Sequence, residues 1–482
     1  MSAPTETKKN YKDTLNLPQT AFAMEAKLVQ NEPKRLEKWQ AMGLYDRILE
    51  SRAGCELWVL HDGPPFANGD IHIGHVVNKT LKDVFLRFRT MQGFRAPYVP
   101  GWDCHGLPIE HKIQQDLGPK LREMSVLDVR KRCFAYAQKY ADIQSKQFQR
   151  LGILGEWANP YLTMAPSYEA STLEVFARFV ESGLVYKQLK PVHWSIANQT
   201  ALADAELEYK DVEGPSVYVE FPAVKEGKLA EIAGNAPLFF LIWTTTPWTL
   251  PANLAIAVHP DVQYRLVEYV KNGHTRLGIV AEDLVERVFK DRKGIDRYRV
   301  IETPFNGADL VTQKARYTHP FVNRTSPILA ADYVTTTDGT GLVHTAPGHG
   351  EEDYLLGGNN GLEVYCPVLA NGRFDESVPA WLHGMLVWDA NPVITKHLAD
   401  TGFLLGEEKI THSYPHDWRS KTPTIFRATE QWFVAIDKPY AVPGEKSTPR
   451  SLRQRAMEAA GNSIEFVPEW GRQRMAGMLE SR

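Results

Sequence analysis

The sequence lacks the marks of a membrane protein, a disulfide-stapled scaffold or a protein that coats nucleic acid. No apolar run approaches the length of a membrane span, which takes about 20 residues. Cysteine is scarce: Cys55, Cys104, Cys133 and Cys366 are scattered, with no Cys-x-x-Cys, so neither a disulfide framework nor a cysteine-built metal site is indicated. Neither charge dominates. Against 58 Asp and Glu stand 55 Lys and Arg, a net charge of −3, so any RNA must be met by local patches. The opening Met1-Ser-Ala-Pro-Thr-Glu-Thr-Lys-Lys has no apolar core and does not read as a signal peptide. A cytoplasmic protein is expected. With 482 residues, 43% hydrophobic and 23% charged, the chain has ordinary globular composition and room for roughly two to four domains.

The chain is organised around Trp58–His75, Trp-Val-Leu-His-Asp-Gly-Pro-Pro-Phe-Ala-Asn-Gly-Asp-Ile-His-Ile-Gly-His. Leu57–Leu60 has the length and apolarity of a buried strand. Asp62–Gly69 is rich in Gly, Pro and Asn and reads as a loop. From Gly74 on, Val77, Leu81, Val84, Phe85 and Phe88 recur at helix spacing. His72 and His75 therefore fall at the first turn of a helix leaving a strand. A helix N-terminus offers unpaired N–H groups and partial positive charge to a phosphate. Two imidazoles three residues apart can share one face of that turn and donate to charge developing on a phosphate. Gly74 keeps the backbone bare where a nucleotide must approach.

Pro64-Pro65-Phe66-Ala67-Asn68-Gly69 followed by His72-Ile73-Gly74-His75 resembles the first signature of class I aminoacyl-tRNA synthetases. The wording His-Asp-Gly-Pro-Pro-Phe-Ala-Asn-Gly is most similar to that of isoleucyl-tRNA synthetases. The resemblance implies that Pro65, Phe66, Ala67, Asn68, Gly69, Asp70, Ile71, His72, Ile73, Gly74 and His75 surround ATP and the adenylate, with His72 and His75 as the catalytic pair and magnesium accompanying ATP. Gly63, Pro64 and Pro65 would lie around the amino acid.

The next segment, Ala96-Pro-Tyr-Val-Pro-Gly-Trp-Asp-Cys-His-Gly-Leu-Pro-Ile-Glu, suggests a short second strand at Tyr98-Val99 and a loop from Gly101. Strand, helix, strand implies a parallel sheet with a right-handed crossover, and ligands gather at the carboxyl ends of such strands. Spacing alone leaves Asp103 as either a helix N-cap or a ligand for an α-ammonium group. Likeness to the matching synthetase loop favours the ligand role, and His105 and Glu110 are read as orienting or structural. Before this core, Phe22, Met24, Leu28, Leu36, Trp39 and Leu44 suggest a helical arm over 1–56, with residues 1–20 frayed. After it, residues 123–190 look helical, broken at Gly152 and Pro160; Arg122, Arg130, Lys131 and Arg132 are either a contact for RNA phosphate or a solvated helix face, and the solvated face is the commoner meaning of such a run.

From Lys190 the pattern becomes alternating: Val217–Phe221, Leu238–Trp243, Leu254–Val258, Tyr264–Val270, Leu277–Val280 and Val300–Glu302. Many short strands of this kind suggest a sandwich or barrel, inserted in an α/β domain. Trp243-Thr-Thr-Thr-Pro-Trp-Thr-Leu-Pro-Ala-Asn253 and Gly339-Thr-Gly-Leu-Val-His-Thr-Ala-Pro-Gly-His-Gly-Glu-Glu-Asp-Tyr354 together resemble the editing pocket of isoleucyl, valyl and leucyl synthetases. By that resemblance Thr244, Thr245 and Thr246 line the pocket and hold ribose and ester, and Asn253 supports that wall. His344 faces the substrate side chain, and Asp353 binds its α-ammonium group. Valine lacks one methylene of isoleucine, worth about 1–3 kcal/mol in an apolar pocket, a figure known for isoleucyl-tRNA synthetases themselves and not obtained from this chain. A second pocket that admits valine and hydrolyses the error makes up the difference, without a metal.

The sequence departs from the family at two places. Where related sequences often carry Cys-x-x-Cys, this one has Ser195-Ile-Ala-Asn198 and Asp417-Trp-Arg-Ser420, so no zinc is expected there. Ser413–Phe433 resembles a return into the catalytic domain, Gly444–Arg450 a polar loop, and Arg450–Gly461 a helix. The Lys-Met-Ser-Lys-Ser loop and anticodon-binding helices of the family do not occur in these 482 residues; Gly444-Glu-Lys-Ser-Thr is a poor look-alike.

The expected fold class is α/β: the first half of a Rossmann-like class I synthetase catalytic domain (57–204) carrying an inserted β-rich, barrel-like editing domain (205–405), with 406–482 returning to the catalytic domain. The expected function is that of the N-terminal half of an isoleucine-activating synthetase, with isoleucine, ATP, tRNA(Ile) and edited valine as partners, no membrane and a monomeric state. Without the second half, adenylate formation is not expected. The rivals are a freestanding deacylase that uses only the insert, a tRNA-binding paralogue with a decayed site, and a generic adenylyltransferase. Intact His72, His75, Thr244–Thr246 and Asp353 speak against decay, and the last rival leaves the threonine run unexplained.

Overall fold

The computed structural model describes residues 11–16, 20–22, 25–290, 292–442, 444 and 448–481, without the side chains of Asp13, Arg122, Glu302, Thr303 and Pro304. The expectations at 1–10, at Met24, at the Arg122 side chain and at 445–447 lie outside these. The chain forms two compact units, Met1–Glu174 and Val175–Arg482.

In the first unit the arm is two helices, α1 (Leu28–Ala41) and α2 (Leu44–Ser51). Pro33 lies inside α1, within its first two turns. Next come α3 (Ile73–Met91), α4 (Leu107–Leu117) and α5 (Val126–Arg150). The expected strands are reduced to fragments. Leu57 pairs with Arg95 and Phe66 with Asp103 as single parallel bridges. The regular ladder is β1 (Gly101–Trp102), parallel to β2 (Tyr161–Leu162). So Tyr98-Val99 is not a strand, and Gly101 continues the pairing instead of opening a loop. Pro64, Pro65, Pro97 and Pro100 explain the gaps, since each removes a ladder N–H. The parallel order holds across all three stretches. Gly101 is needed there because a Cβ would sit 2.1 Å from the Tyr161 ring.

The second unit is mostly sheet. β3 (Val185–Ser195) pairs with β4 (Thr200–Ala201) and β15 (Ile425–Val434). A six-stranded sheet has the order β10-β8-β9-β6-β5-β14, built from β5 (Leu207–Pro222), β6 (Leu238–Thr244), β8 (Gln263–Lys271), β9 (His274–Ala281), β10 (Ile295–Asn306) and β14 (Leu404–Asp417). A four-stranded sheet has the order β11-β12-β7-β13, from β7 (Ala255–Val258), β11 (Arg316–Thr318), β12 (Thr325–Ala330) and β13 (Leu342–Thr345). One apolar core, including Val217, Phe240, Ile256, Tyr264 and Leu342, serves both sheets. Every strand read from the alternation is present. The alternation did not reveal the helix Val387–Asp400, which covers part of that core through Val387, Ala390, Ile394 and Leu398. Among the described residues no helix is long and apolar enough to cross a membrane.

Candidate functional site

His72 is the N-cap of α3, in extended conformation at φ −118° and ψ 172°. Its Nδ1 accepts from the Gly74 N–H at 3.1 Å, and the His75 Nδ1 accepts from the His72 N–H at 3.4 Å. This is a capping box built from two imidazoles. Both Nδ1 lone pairs are engaged, so the neutral rings carry their protons on Nε2 and keep that donor for a ligand. The rings stack at 3.8 Å. Burial first, then the neighbouring His72 and Lys79, lower the His75 pKa, which favours the neutral ring. Gly74 has a reason of its own: a Cβ there would lie 3.0 Å from the His72 ring.

The loop before α3 is pinned by α5. Gln144 Nε2 donates to the carbonyls of Phe66 and Gly69, and Gln144 Oε1 accepts from the Trp102 indole. Gln147 accepts from the Ile71 N–H at 3.0 Å and donates to Asp70 at 2.6 Å. Tyr136 donates to Asn68, whose amide donates to the Pro108 carbonyl. Ala67 is fully buried, and Gly69 has φ +73°, a conformation that favours glycine. Asp103 bonds through its backbone to Pro65 and Ala67, which sets it beside the loop. Gly106, not Asp103, is the N-cap of α4. His105 faces Glu169 at 3.4 Å, and Glu110 lies in the first turn of α4. Gly63 and Phe66 are exposed and Pro64 and Pro65 half-buried. A cavity of about 890 Å³ opens beside this edge, lined by Cys104, His105, Glu110, Phe134, Met164 and Glu169.

Below the loop lies a cluster that pattern reading did not single out. The Asp62 carboxylate is fully buried against Lys79, Lys82 and the Tyr98 hydroxyl. Lys79 stands one turn beyond His75 on α3, so the ion cluster ties the first part of that helix to the start of the loop that precedes it. The available signal was a pair of lysines three apart, one helical turn, in the helix that His72 begins.

In the second unit, the turn after β6 and the strand β13 meet. Thr244 and Thr246 hydroxyls are 3.3 Å apart, and Thr246 is 3.3 Å from Thr249. Thr249 is 2.7 Å from His344 Nε2, and Asn253 reaches His344 Nδ1 at 3.2 Å. The buried Tyr317 hydroxyl is 2.6 Å from Asn253 Oδ1. The antiparallel register of β7 and β13, with Thr345 opposite Ala255 and His344 opposite Ile256, brings these segments side by side. Burial lowers the His344 pKa to about 3. Asp353 accepts from the Ala346 N–H at 2.8 Å, and burial raises its pKa to about 6. His349, five residues beyond His344, donates to the Phe426 carbonyl and meets the Trp248 ring edge-on at 5.0 Å. The structure thus gathers Thr244, Thr246, Asn253 and His344 into one network, and the Asp353 carboxylate, from the first turn of the helix Glu351–Asn359, reaches back to the N–H of Ala346, the residue after that strand. Thr245 is half-buried and outside the row. Sequence reading missed Thr249 and Tyr317. Thr249 lay inside the quoted motif, but nothing in its spacing marked it.

Ser195, Asn198 and Ser420 converge on Asp417, whose carboxylate is fully buried and accepts from all three side chains at 2.6–2.9 Å and from the Arg419 N–H at 2.8 Å. Burial would raise this carboxyl, but those bonds hold it below its ordinary range. Two hydroxyls, an amide and one saturated carboxylate do not fit Zn²⁺, which takes thiolate, imidazole or open carboxylate ligands. Among the described residues no group of three or more His, Cys, Asp or Glu is disposed to hold a metal ion.

The family model described as tRNA synthetases class I (I, L, M and V) matches residues 34–482. An isoleucine–tRNA ligase of Kosmotoga olearia is 48% identical over 473 residues, covering 98% of this chain and 48% of that protein. One from Thermotoga maritima is 48% identical over 475 residues, with the same shares. The chain therefore spans about half the length of the curated relatives it matches. A solved chain of Agrobacterium radiobacter K84 LeuRS, from a ternary complex with tRNA and LeuAMS, aligns at TM-score 0.35 and 17% identity over 89% of this chain and 52% of that one. With the two-histidine helix start in place and residues 34–482 matched by the family model, this chain belongs to the class I tRNA synthetase family.

Proposed function

We propose that these residues are the N-terminal half of an isoleucine–tRNA ligase. They supply half of the site that activates isoleucine with ATP, together with a chamber that hydrolyses valine wrongly joined to tRNA(Ile). The observation that carries this reading is the imidazole capping box of His72 and His75 at a helix start, in a chain 48% identical over 98% of its length to isoleucine–tRNA ligases. The two Nε2–H groups and the helix terminus suit ATP phosphates and the charge that builds as isoleucine attacks the α-phosphate. Asp103, held beside the loop by its backbone, suits the α-ammonium group. Magnesium enters with ATP as part of the substrate.

The chamber reading rests on the Thr244–Thr246–Thr249–His344–Asn253 network and on Asp353. An inserted domain is supported by the strand pairs β3·β15 and β5·β14, in which the outgoing and returning chains run antiparallel over long registers. A monomer in the cytoplasm completes the proposal.

The test joins these residues to the remaining half of a relative and measures isoleucine-dependent ATP–pyrophosphate exchange. His72→Ala and His75→Ala should each lower exchange by roughly 100-fold, the order expected for loss of a transition-state donor. Wild-type rates in both variants would overturn the assignment. The 482 residues by themselves are expected to give no exchange, and robust isoleucine-dependent turnover would contradict that. Hydrolysis of valine-charged tRNA(Ile) should persist weakly, and should fall in Thr245→Ala with Asp353→Ala.

A further inference from the structure

We propose that Thr249 is a positioning residue: it turns the Thr244–Thr246 row into hydrogen-bond acceptors only, so that the chamber holds an O–H donor there, from the ester's ribose or from the attacking water. This rests on the reading of the second unit as a hydrolytic chamber.

The argument follows the protons. Asn253 Nδ2 donates to the Ala255 carbonyl at 2.8 Å, and a carbonyl can only accept. The amide orientation is therefore fixed, and Tyr317 clamps its oxygen at 2.6 Å. The second Nδ2 proton points to His344 Nδ1 at 3.2 Å. That nitrogen must then carry a lone pair, so neutral His344 has its proton on Nε2. Nε2–H donates to Thr249 Oγ1 at 2.7 Å. The Thr249 proton is itself committed to the Thr246 carbonyl at 2.8 Å. In the contact between Thr246 and Thr249, Thr246 is therefore the donor. It follows that Thr244 donates to Thr246. Thr244 Oγ1 also accepts from the Thr246 N–H at 3.1 Å.

Every hydroxyl proton of the row is spent inside the protein, and one lone pair remains on each of Thr244 and Thr246. Such a surface attracts O–H donors and does not donate to an ester carbonyl. His344 is thereby a neutral donor within the wall, in keeping with its lowered pKa, and is not available as a base through Nδ1. The polarity originates in a backbone carbonyl and passes through Asn253 and His344. Thr249 is where it reaches the hydroxyls.

The experiment uses the full chain, with ¹⁵N-detected imidazole spectra and the His344→Gln variant to assign the ring, and with valine-charged tRNA(Ile) as hydrolysis probe. Wild type should show His344 protonated on Nε2 near neutral pH. Asn253→Asp, whose carboxylate only accepts, should move that proton to Nδ1. Thr249→Val keeps the shape and loses the acceptor, so hydrolysis should fall by about tenfold or more, while Thr249→Ser restores it. A fall in kcat at unchanged KM assigns the donor to water, and a rise in KM at unchanged kcat assigns it to the ribose. Wild-type His344 protonated on Nδ1, or Thr249→Val hydrolysing at the wild-type rate, would overturn the proposal. If wild type hydrolyses no valine-charged tRNA, the chamber reading fails, and the His344 proton still decides the hydrogen-bond order. The wild-type spectrum keeps the test decisive even if Thr249→Val does not fold.

Discussion

Asp62→Ala removes the anion from a buried cluster and exposes how much of the helix start depends on it. The Asp62 side chain is fully buried and Lys79 is 3% exposed, whereas Lys82, 2.5 Å from Asp62, is 19% exposed and can turn to water. Lys79 keeps a contact to the Tyr98 hydroxyl at 3.0 Å but loses its counter-charge. Removing one partner of a buried pair costs about 3–5 kcal/mol. The Tyr98 hydroxyl, also bonded to Asp62 at 3.0 Å, loses an acceptor, worth roughly 1 kcal/mol. Lys79 can limit the total by shedding its proton, since burial already lowers its pKa against the pull of Asp62. The expected loss is therefore about 4 kcal/mol. Lys79→Met should cost less, about 1–2 kcal/mol, because Asp62 keeps Lys82 and Tyr98. Urea unfolding read by hydrogen exchange of α3 amides isolates this unit, as a two-unit chain need not unfold in one step. A loss below about 1 kcal/mol for Asp62→Ala, or the reverse ranking of the two variants, would refute the argument.

Asp353 has a folded pKa of about 6 against 3.8 unfolded, so its contribution is fully present below the unfolded value and is lost as pH rises through the folded one. Asp353→Asn should therefore gain on wild type by roughly 1–3 kcal/mol between pH 4 and 7, measured by urea melts at stepped pH; a constant difference would count against it. Asp417→Ala leaves Ser195, Asn198 and Ser420 without their shared acceptor and should cost about 2–4 kcal/mol. Wild type should keep its Tm through dialysis against a chelator, and a fall in Tm would indicate a metal. Gly101→Ala forces a Cβ to 2.1 Å from the Tyr161 ring and should lower the Tm of the first unit by several degrees, read by the near-ultraviolet signal of Tyr161 and Trp102.

The histidine pair was legible because its meaning is local: residues two and three apart share one helical turn, and capping needs nothing from the rest of the chain. The strands of the second unit were legible for a similar reason, since alternation along the chain repeats the two faces of a sheet. The strands of the first unit were overread. Apolar runs at Leu57–Leu60 and Tyr98-Val99 looked like ladders, but the prolines beside them remove the N–H groups a ladder needs. Arg450–Gly461 was read as one helix, whereas the α-helix stops at Glu458 and ends in a π-helical turn over Ala459–Ser463.

By itself the sequence determined the helix that begins at His72, the positions of six strands in the second unit, and the two segments, around Thr244 and His344, that the structure brings together. Only the tertiary structure decided which threonines act together, where Asp62 finds its lysines, and what fills the place between Ser195 and Asp417. Asp62 lies 17 positions from Lys79, and Ser195 lies 222 from Asp417. Burial, which makes an unpaired charge or hydroxyl costly, selects these pairings, and the linear order carries no record of which distant groups will meet.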